Sequence, residues 1–234
     1  MTGIQTLVAA ATPAPPPRRP NRLLIAGLLA GPLFVVTFLI AGATRDGYDP
    51  MRHPVSSLSL GDAGWVQTAN FLVAGVLSIV FAVGLRRSLR PGPGAAAGPL
   101  LIAVWGIGLL GAGVFRTDPI SGYPAGTPPT PDPASWHGVL HDMVFSLPGF
   151  AAFGAAMLVL AYAFAKRHAT GWAIYSGLSG IAFVVLFVLT SAGFAQNLDT
   201  AGLLQRITVG IGWLWLTALA VRQMTAASVA DAER

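Results

Sequence analysis

Six segments of this chain are long and apolar enough to cross a lipid bilayer as helices, and no other feature restricts the fold as strongly. A helix needs about 20 mostly apolar residues to cross the hydrocarbon core. The segments that meet this requirement are residues 23–43, 65–85, 97–115, 139–165, 172–193 and 202–221. They predict an all-α, polytopic membrane protein built as a bundle of six transmembrane helices.

The scarcity of charged residues supports the same fold class. Only 10% of the 234 residues are charged and 54% are hydrophobic, whereas a soluble domain averages about 25% charged residues. A globule with so little polar surface would not stay in water, so a soluble fold is excluded. The apolar segments predict one membrane domain over residues 23–222, with the lipid bilayer as its partner.

Basic residues are distributed unequally between the two sides of the predicted bundle. Six crossings place both termini on one side, and 10 of the 14 Lys and Arg residues fall there. Short loops rich in Lys and Arg remain in the cytoplasm, so we expect cytoplasmic termini in a multi-pass protein of the cell membrane. These basic residues are Arg18, Arg19, Arg22, Arg86, Arg87, Arg90, Lys166, Arg167, Arg222 and Arg234.

The two ends of the chain are predicted to lie outside the membrane domain. Residues 1–22 contain five prolines and no apolar periodicity, which is typical of a disordered arm. Residues 223–234 are predicted to form a cytoplasmic tail. The sequence at residues 41–43 resembles a signal peptidase site, but the apolar stretch before it exceeds the roughly 7 to 15 residues of a signal peptide core.

Residue usage excludes several classes of function. The chain has no cysteine, which excludes disulfides, thiolate metal sites and cysteine nucleophiles. Its basic residues lie in small groups beside the apolar segments, so we expect no nucleic-acid binding. No ionisable residue falls at the centre of a predicted span, which argues against ion or proton transport. The preference for Arg over Lys, with abundant Ala, Gly and Pro, favours a bacterial origin.

Side chains that could carry chemistry collect on the predicted outer side. The pair Asp132 and Pro133 predicts a helix N-terminus, so the fourth helix would run from there to Ala165 and project beyond the hydrocarbon core. Its first turns carry His137 and His141, which are four residues apart and share one helix face. Two imidazoles at this spacing can bind one metal ion.

Three further residues could complete such a site. Asp118 or Asp142 can supply an oxygen ligand or a general base, and His53 in the first outer loop can supply a third imidazole. Pro54 and Gly61 are predicted to open and close a short amphipathic helix in the membrane interface, with His53 at its start. The sequence therefore predicts a zinc site of His53, His137 and His141, with Asp118 and Asp142 as catalytic carboxylates.

Several of these polar residues also have structural interpretations. The histidine pair can be hydrogen-bonded structure without a metal. Arg206 lies within the sixth span and needs a partner, for which Asp118 and Asp142 are the candidates. Gln67 and Asn70 add neutral hydrogen-bonding groups at the outer end of the second span.

Four short stretches carry a resemblance to a known family. They are YDPMRHPVS at residues 48–56, GW at residues 64–65 continuing through Asn70 and Phe71, GVF at residues 113–115 with TDP at residues 117–119, and HGVLH at residues 137–141. Across residues 23–221 the chain resembles, through these stretches, the bacterial membrane family known as domain of unknown function 998. The resemblance implies a six-helix integral membrane protein without an established activity.

A looser similarity is to seven-helix membrane hydrolases of the alkaline ceramidase and adiponectin receptor kind. Those enzymes use three His, an Asp and a Ser around zinc at a membrane face. This chain has six apolar segments and does not reproduce the order of serine and histidine, so the similarity is an analogy.

The sequence leaves two main classes of function open. One is a metal-dependent membrane hydrolase that acts on a lipid or another amphiphile, with zinc on the imidazoles and an Asp as base for the bound water. The alternative is a non-enzymatic accessory or sensory membrane protein, whose histidines titrate near neutral pH or brace the outer loops. A third option, haem ligation, requires imidazoles that face each other within the bundle.

Overall fold

The computed structural model describes residues 21–131 and 133–232 of the chain. Residues 1–20 of the predicted arm, Asp132 and the last two residues of the predicted tail therefore lie outside the described residues. The described part is helical and contains no β-strand. In chain order its α-helices are α1 (Ile25–Ala43), α2 (Gly64–Leu89), α3 (Ala97–Val114), α4 (Trp136–Val139), α5 (Leu147–Lys166), α6 (Thr170–Ala195) and α7 (Ala201–Ala232).

Six helical stretches in the described part of the chain are long and apolar enough to cross a membrane, which confirms the predicted fold class. A short 3₁₀ turn extends α1 at its start, and α4, a π-helical segment and α5 together form the fourth span. The stretches are Arg22–Ala43, Gly64–Leu89, Ala97–Val114, Trp136–Lys166, Thr170–Ala195 and Ala201–Ala226. Each coincides with a predicted span to within a few residues.

The fourth span begins later than the sequence predicted. Ser135 is its N-cap, since the Ser135 hydroxyl accepts a hydrogen bond from the Gly138 N–H at 3.0 Å, and the helix starts at Trp136. Pro133 lies in a bend before the helix, so the prediction that it is the first helical residue was wrong. The start is determined by a tertiary contact, because Ser135 is held by the side chain of Asp118.

The six spans pack in chain order into a closed ring. Each span packs against the next, and α7 returns to pack against α1. Small residues allow helix backbones to approach closely in a membrane protein. A Cβ atom on Gly75 would lie 2.8 Å from the carbonyl oxygen of Gly106, and a Cβ on Gly106 would lie equally close to that of Gly75. Inside the ring, Trp105 stacks on Phe153 with ring centroids 4.8 Å apart.

A π-helical segment, Leu140–Ser146, interrupts the fourth span. It comes just before Pro148, whose ring would clash with the carbonyl four residues earlier in a regular α-helix. The wider π turn allows the helix to continue through this position. Phe145 of the segment packs directly against Gly111 of α3, so the segment is fixed on α3.

The connection between α1 and α2 folds inward. Its 3₁₀ helix, Val55–Ser59, follows Pro54 and is followed by Gly61 at a positive φ of 72°, as predicted. Leu58 has no exposed surface and Val55 is also buried. The prediction of an amphipathic helix lying in the interface was therefore wrong, because this helix is packed within the protein.

The two ends of the bundle differ in their ionisable residues. We call the end that carries His53, His137 and His141 the histidine end, and the opposite end, which carries Arg86 and Arg167, the arginine end. The assignment of the arginine end to the cytoplasm stays a prediction based on the distribution of basic residues.

Candidate functional site

A cavity of about 430 Å³ lies inside the ring of helices, toward the histidine end. All six spans contribute to its wall, together with the connections that follow α1 and α3. Its volume falls in the range of small-molecule sites, roughly 300 to 1,000 Å³. The cavity is therefore large enough for a small ligand or for part of an amphiphile.

The wall of this cavity has an apolar part and a polar part. The apolar part contains the aromatic side chains of Phe34, Phe71, Trp105, Phe150 and Phe187. The polar part contains Asp118, His141 and Asp142, with neutral groups that include Ser56, Ser146, Thr190 and Gln205. Three of the five residues predicted to form the site therefore line one cavity.

His141 lies buried in this wall, with 2% of its surface exposed. Its Nδ1 is 2.7 Å from the carbonyl oxygen of Phe115. A carbonyl can only accept a hydrogen bond, so Nδ1 carries a proton and Nε2 of the neutral ring holds a lone pair. His141 can therefore act as a base, an acceptor or a metal ligand through Nε2.

His137 is oriented in the same way one turn earlier in the fourth span. Its Nδ1 lies 2.8 Å from the carbonyl oxygen of Arg116 and 2.9 Å from the Ser135 hydroxyl. The carbonyls of Phe115 and Arg116 belong to the chain just after α3, which ends at Val114, and Phe115 already has extended backbone geometry. The end of α3 thus orients both imidazoles, which we call the open pair (His137 and His141). His137 is half-buried and lies outside the cavity wall.

Asp118 fastens the start of the fourth span while it lines the cavity. Its Oδ2 accepts a hydrogen bond from the Ser135 N–H at 2.8 Å, and its Oδ1 accepts one from the Ser135 hydroxyl at 2.5 Å. The carboxylate packs directly on Gly138, where any side chain would collide with it. Asp118 is also 3.9 Å from Nδ1 of His137.

Asp142 differs from Asp118 in its environment. It lines the same cavity and is exposed. Among the described residues it forms neither a hydrogen bond nor an ion pair. Its carboxylate is therefore available to a ligand.

His53 lies in a different environment at the same end of the bundle. Its Nδ1 accepts a hydrogen bond from the Asp49 N–H at 2.8 Å, and its ring also bonds to the backbone of Ser121. The ring centroid lies 5.5 Å from that of Tyr48 and 5.1 Å from that of Tyr123. Burial lowers the pKa of His53 below its ordinary value of 6.5. Its ring nitrogens are thus engaged with the backbone.

Arg206 completes this second group, which we call the closed cluster (Tyr48, His53, Tyr123 and Arg206). Its guanidinium donates hydrogen bonds to the Tyr48 hydroxyl and, at 3.0 Å, to the His53 carbonyl oxygen. It forms no ion pair within the described chain. The prediction that Arg206 pairs with Asp118 or Asp142 was wrong, because backbone and phenol oxygens of the first connection bind it instead.

The first connection is held against the start of α7 by several contacts. The Val55 N–H donates to Gln205 Oε1 at 2.7 Å, and the Leu203 N–H donates to the Met51 carbonyl at 2.9 Å. A Cβ atom on Gly202 would lie only 2.7 Å from the carbonyl oxygen of His53. Sequence reasoning missed these contacts, since they join residues about 150 positions apart.

The three histidines predicted to hold a metal therefore separate into two groups. The open pair shares one helix face, whereas His53 belongs to the closed cluster and lies outside the cavity wall. In the described part of the chain, no group of three or more His, Asp or Glu side chains is arranged to hold a metal ion. A zinc or haem site that includes His53 stays a prediction.

The fourth and fifth spans separate at the histidine end. The π-helical segment packs against α3 and α5, whereas it makes little contact with α6. Met143 and Leu147 on one side, and Ser191 on the other, are exposed and also line the cavity. Residues of the cavity wall are therefore also exposed at the surface of the bundle beside these two elements.

The fold and the cavity define a polytopic helical membrane protein with an internal polar site near one end. Residues 28–222 match the family described as protein of unknown function (DUF998), and the chain belongs to this family. The match confirms the resemblance carried by the sequence motifs. No curated protein and no solved structure matches the chain.

Proposed function

We propose that the protein binds a membrane amphiphile in its cavity. The polar head would contact Asp118, His141 and Asp142, and the hydrocarbon part would lie on the aromatic side chains. The observation that carries this proposal is a single cavity wall that contains both aromatic and polar side chains. An amphiphile gains from both parts, because it buries apolar surface and satisfies the polar groups.

The bilayer is the source of ligand that the fold favours. Exposed cavity-lining residues, Met143 and Ser191 among them, lie on either side of the separation between the π-helical segment and α6. A lipid could pass through this separation without leaving the membrane. Its head would then reach His141 and Asp142, which belong to the π-helical segment.

The experiment is native mass spectrometry of the protein released from nanodiscs that contain a defined amphiphile mixture. We expect one bound amphiphile in the wild type and none in Ala112→Phe, because Ala112 lines the cavity. The control is Ala192→Phe, an exposed position outside the wall, which should retain the ligand. Ser146→Phe fills the same cavity with a side chain from the fourth span. This variant replaces Ala112→Phe if Ala112→Phe fails to fold. Equal binding by the folded blocking variants and the wild type would overturn the proposal.

A second candidate function is metal-assisted hydrolysis of that amphiphile. It is supported by the protons on Nδ1 of His137 and His141, which leave both Nε2 atoms as potential ligands. Histidines that bind metals commonly donate their other ring nitrogen to a carbonyl in this way. Zinc held by the pair would activate water, and Asp142 or Asp118 would act as base.

Metal analysis distinguishes metal-assisted hydrolysis from amphiphile binding without catalysis. If it is correct, the purified wild type contains zinc in a fixed ratio, and the variant with both His137→Asn and His141→Asn does not. His168→Asn replaces an exposed histidine at the arginine end and is the control. If the wild-type protein contains no stoichiometric metal, the proposal of metal-assisted hydrolysis is overturned. Amphiphile binding with an accessory or sensory role then remains.

A further inference from the structure

The ionisable residues of the cavity wall have an unbalanced charge. Among the described residues that line the cavity, Asp118, His141 and Asp142 are ionisable, and neither Lys nor Arg is present. A phosphate or sulfate head group is usually bound by Arg or Lys. This wall therefore does not favour an anionic ligand.

The two arginines that neighbour wall residues in sequence do not neutralise the carboxylates of the wall. Arg206 follows the cavity-lining Gln205 in sequence, but its guanidinium binds Tyr48 and the backbone of the first connection. Arg116 precedes Thr117 in the wall, but it is exposed and is not part of the cavity. The guanidinium groups nearest in sequence are thus excluded from the site.

The two carboxylates of the wall differ in the number of hydrogen bonds that they accept. Asp118 accepts two hydrogen bonds from Ser135, whereas Asp142 has neither a hydrogen bond nor an ion pair with the described residues. A carboxylate beside apolar walls is stabilised by a cation. Asp142 thus offers a carboxylate with which a cationic ligand can pair.

The apolar part of the wall is also suited to a cation. It includes six aromatic side chains, among them Phe71, Trp105 and Phe150. The faces of aromatic rings attract ammonium groups, most strongly where water is excluded. Carboxylate and aromatic groups in one cavity form the combination that recognises amines and quaternary ammonium ions.

From these observations we propose that the head group of the bound amphiphile is cationic, an amine or a quaternary ammonium. The proposal rests on the proposed function, since it assumes that the cavity holds an amphiphile. It adds the chemical class of the ligand and the residue that selects it. Asp142 is the counter-ion of the head group, with Asp118 as a second carboxylate in the wall.

The experiment compares amphiphiles that share a dodecyl chain and differ in charge. Dodecyltrimethylammonium, dodecylamine, a nonionic dodecyl glycol ether and dodecyl sulfate are added separately to protein in nanodiscs of zwitterionic lipid. Bound ligand is counted by native mass spectrometry, and the signal from Ala112→Phe is subtracted to correct for partition into the bilayer. We expect the two cations to bind the wild type at least about tenfold more tightly than the sulfate.

Variants of Asp142 identify the source of the preference. Asp142→Asn should remove most of the preference for cations, whereas Asp142→Glu should retain it. Asp62→Asn replaces an exposed carboxylate outside the cavity wall and should leave the preference unchanged. The thermal stability of each variant is measured first, so that unfolded protein is not counted as loss of binding.

The outcomes separate this inference from the proposed function. If the nonionic or anionic compound binds as tightly as the cations, the cavity holds an amphiphile and the cationic preference is overturned. A preference that survives Asp142→Asn would overturn the role of this residue. If no compound binds above the level of Ala112→Phe, both proposals are overturned.

Discussion

The closed cluster and the open pair occupy the same end of the bundle and use the same residue type in opposite ways. In the closed cluster, Nδ1 of His53 accepts a hydrogen bond from a backbone N–H. In the open pair, Nδ1 of His137 and of His141 faces a backbone carbonyl. The backbone partner therefore decides which ring nitrogen carries the proton.

Because of this difference, we expect the closed cluster to stabilise the fold and the open pair to serve ligand binding. The His53 ring is buried between two tyrosines and both of its nitrogens serve the fold. His141 uses one nitrogen for orientation and lines the cavity. We expect substitutions in the closed cluster to change mainly the stability of the protein, and substitutions around the open pair to change mainly ligand binding.

The largest expected effect comes from crowding the contact between α7 and the first connection, which carries Tyr48 and His53 of the closed cluster. Gly202→Ala places a methyl group within 2.8 Å of the Pro50 and Met51 carbonyl oxygens, so the first connection must move. Such overpacking typically costs about 1 to 3 kcal/mol, and we expect a value at the upper end of this range because backbone carbonyls, not a flexible side chain, must give way. Gly210→Ala lies in the same helix with nothing within 4 Å of its Cβ position and should be neutral or stabilising. Thermal unfolding in detergent measures both, and equal melting temperatures would show that this contact is unimportant.

Removing one hydroxyl from the closed cluster should have an intermediate effect. Tyr48 accepts a hydrogen bond from Arg206 and donates one to the Pro54 carbonyl at 3.0 Å, and burial raises its pKa to about 12, which keeps it protonated. Tyr48→Phe leaves these partners unsatisfied and should cost about 1 to 3 kcal/mol. Tyr162→Phe removes an exposed hydroxyl and is the control. Loss of amphiphile binding in Tyr48→Phe without loss of stability would contradict the separation of the two groups.

The smallest expected effect concerns pH. Because burial lowers the pKa of His53 in the folded protein, the unfolded chain binds more protons below the ordinary value of 6.5, and stability falls as pH decreases through that region. His53→Asn keeps an acceptor for the Asp49 N–H but cannot be protonated. The stability advantage of the wild type over this variant should therefore shrink between about pH 7.5 and about pH 5.5. An advantage that is constant across this range, measured by thermal unfolding, would show that His53 does not sense pH.

Much of the fold could be predicted from the sequence because span length and apolarity are local properties. Residues 23–43 and 172–193 each contain enough apolar residues to be recognised without knowledge of their neighbours. The resemblance to domain of unknown function 998, which rested on four short stretches including residues 137–141, was confirmed by the family match. Small residues are typical of close helix packing in membranes, and Gly106 and Gly111 of the third span contact neighbouring helices.

The site could be predicted only in part, because its geometry depends on contacts between distant residues. The spacing of His137 and His141 indicated a shared face, but no local pattern shows that His53 bonds to the backbone of Ser121. The predicted start of the fourth span was wrong for the same reason. Asp132 and Pro133 form a favourable local capping pattern. Ser135 is the N-cap instead because it is hydrogen-bonded to Asp118, 17 residues earlier.

The π-helical segment makes the winding of the fourth span as important as its composition. Each residue of an α-helix advances the chain by about 100° around the axis. If the same residues, Leu140–Ser146, were wound as a regular α-helix, His137 would be rotated by about that angle relative to α5, because a π turn holds about one more residue than an α turn. The imidazole would turn away from the carbonyl of Arg116 that now orients it. A regular α-helix over these residues would thus be hydrophobic and long enough to span the membrane, but its polar residues would face the wrong neighbours.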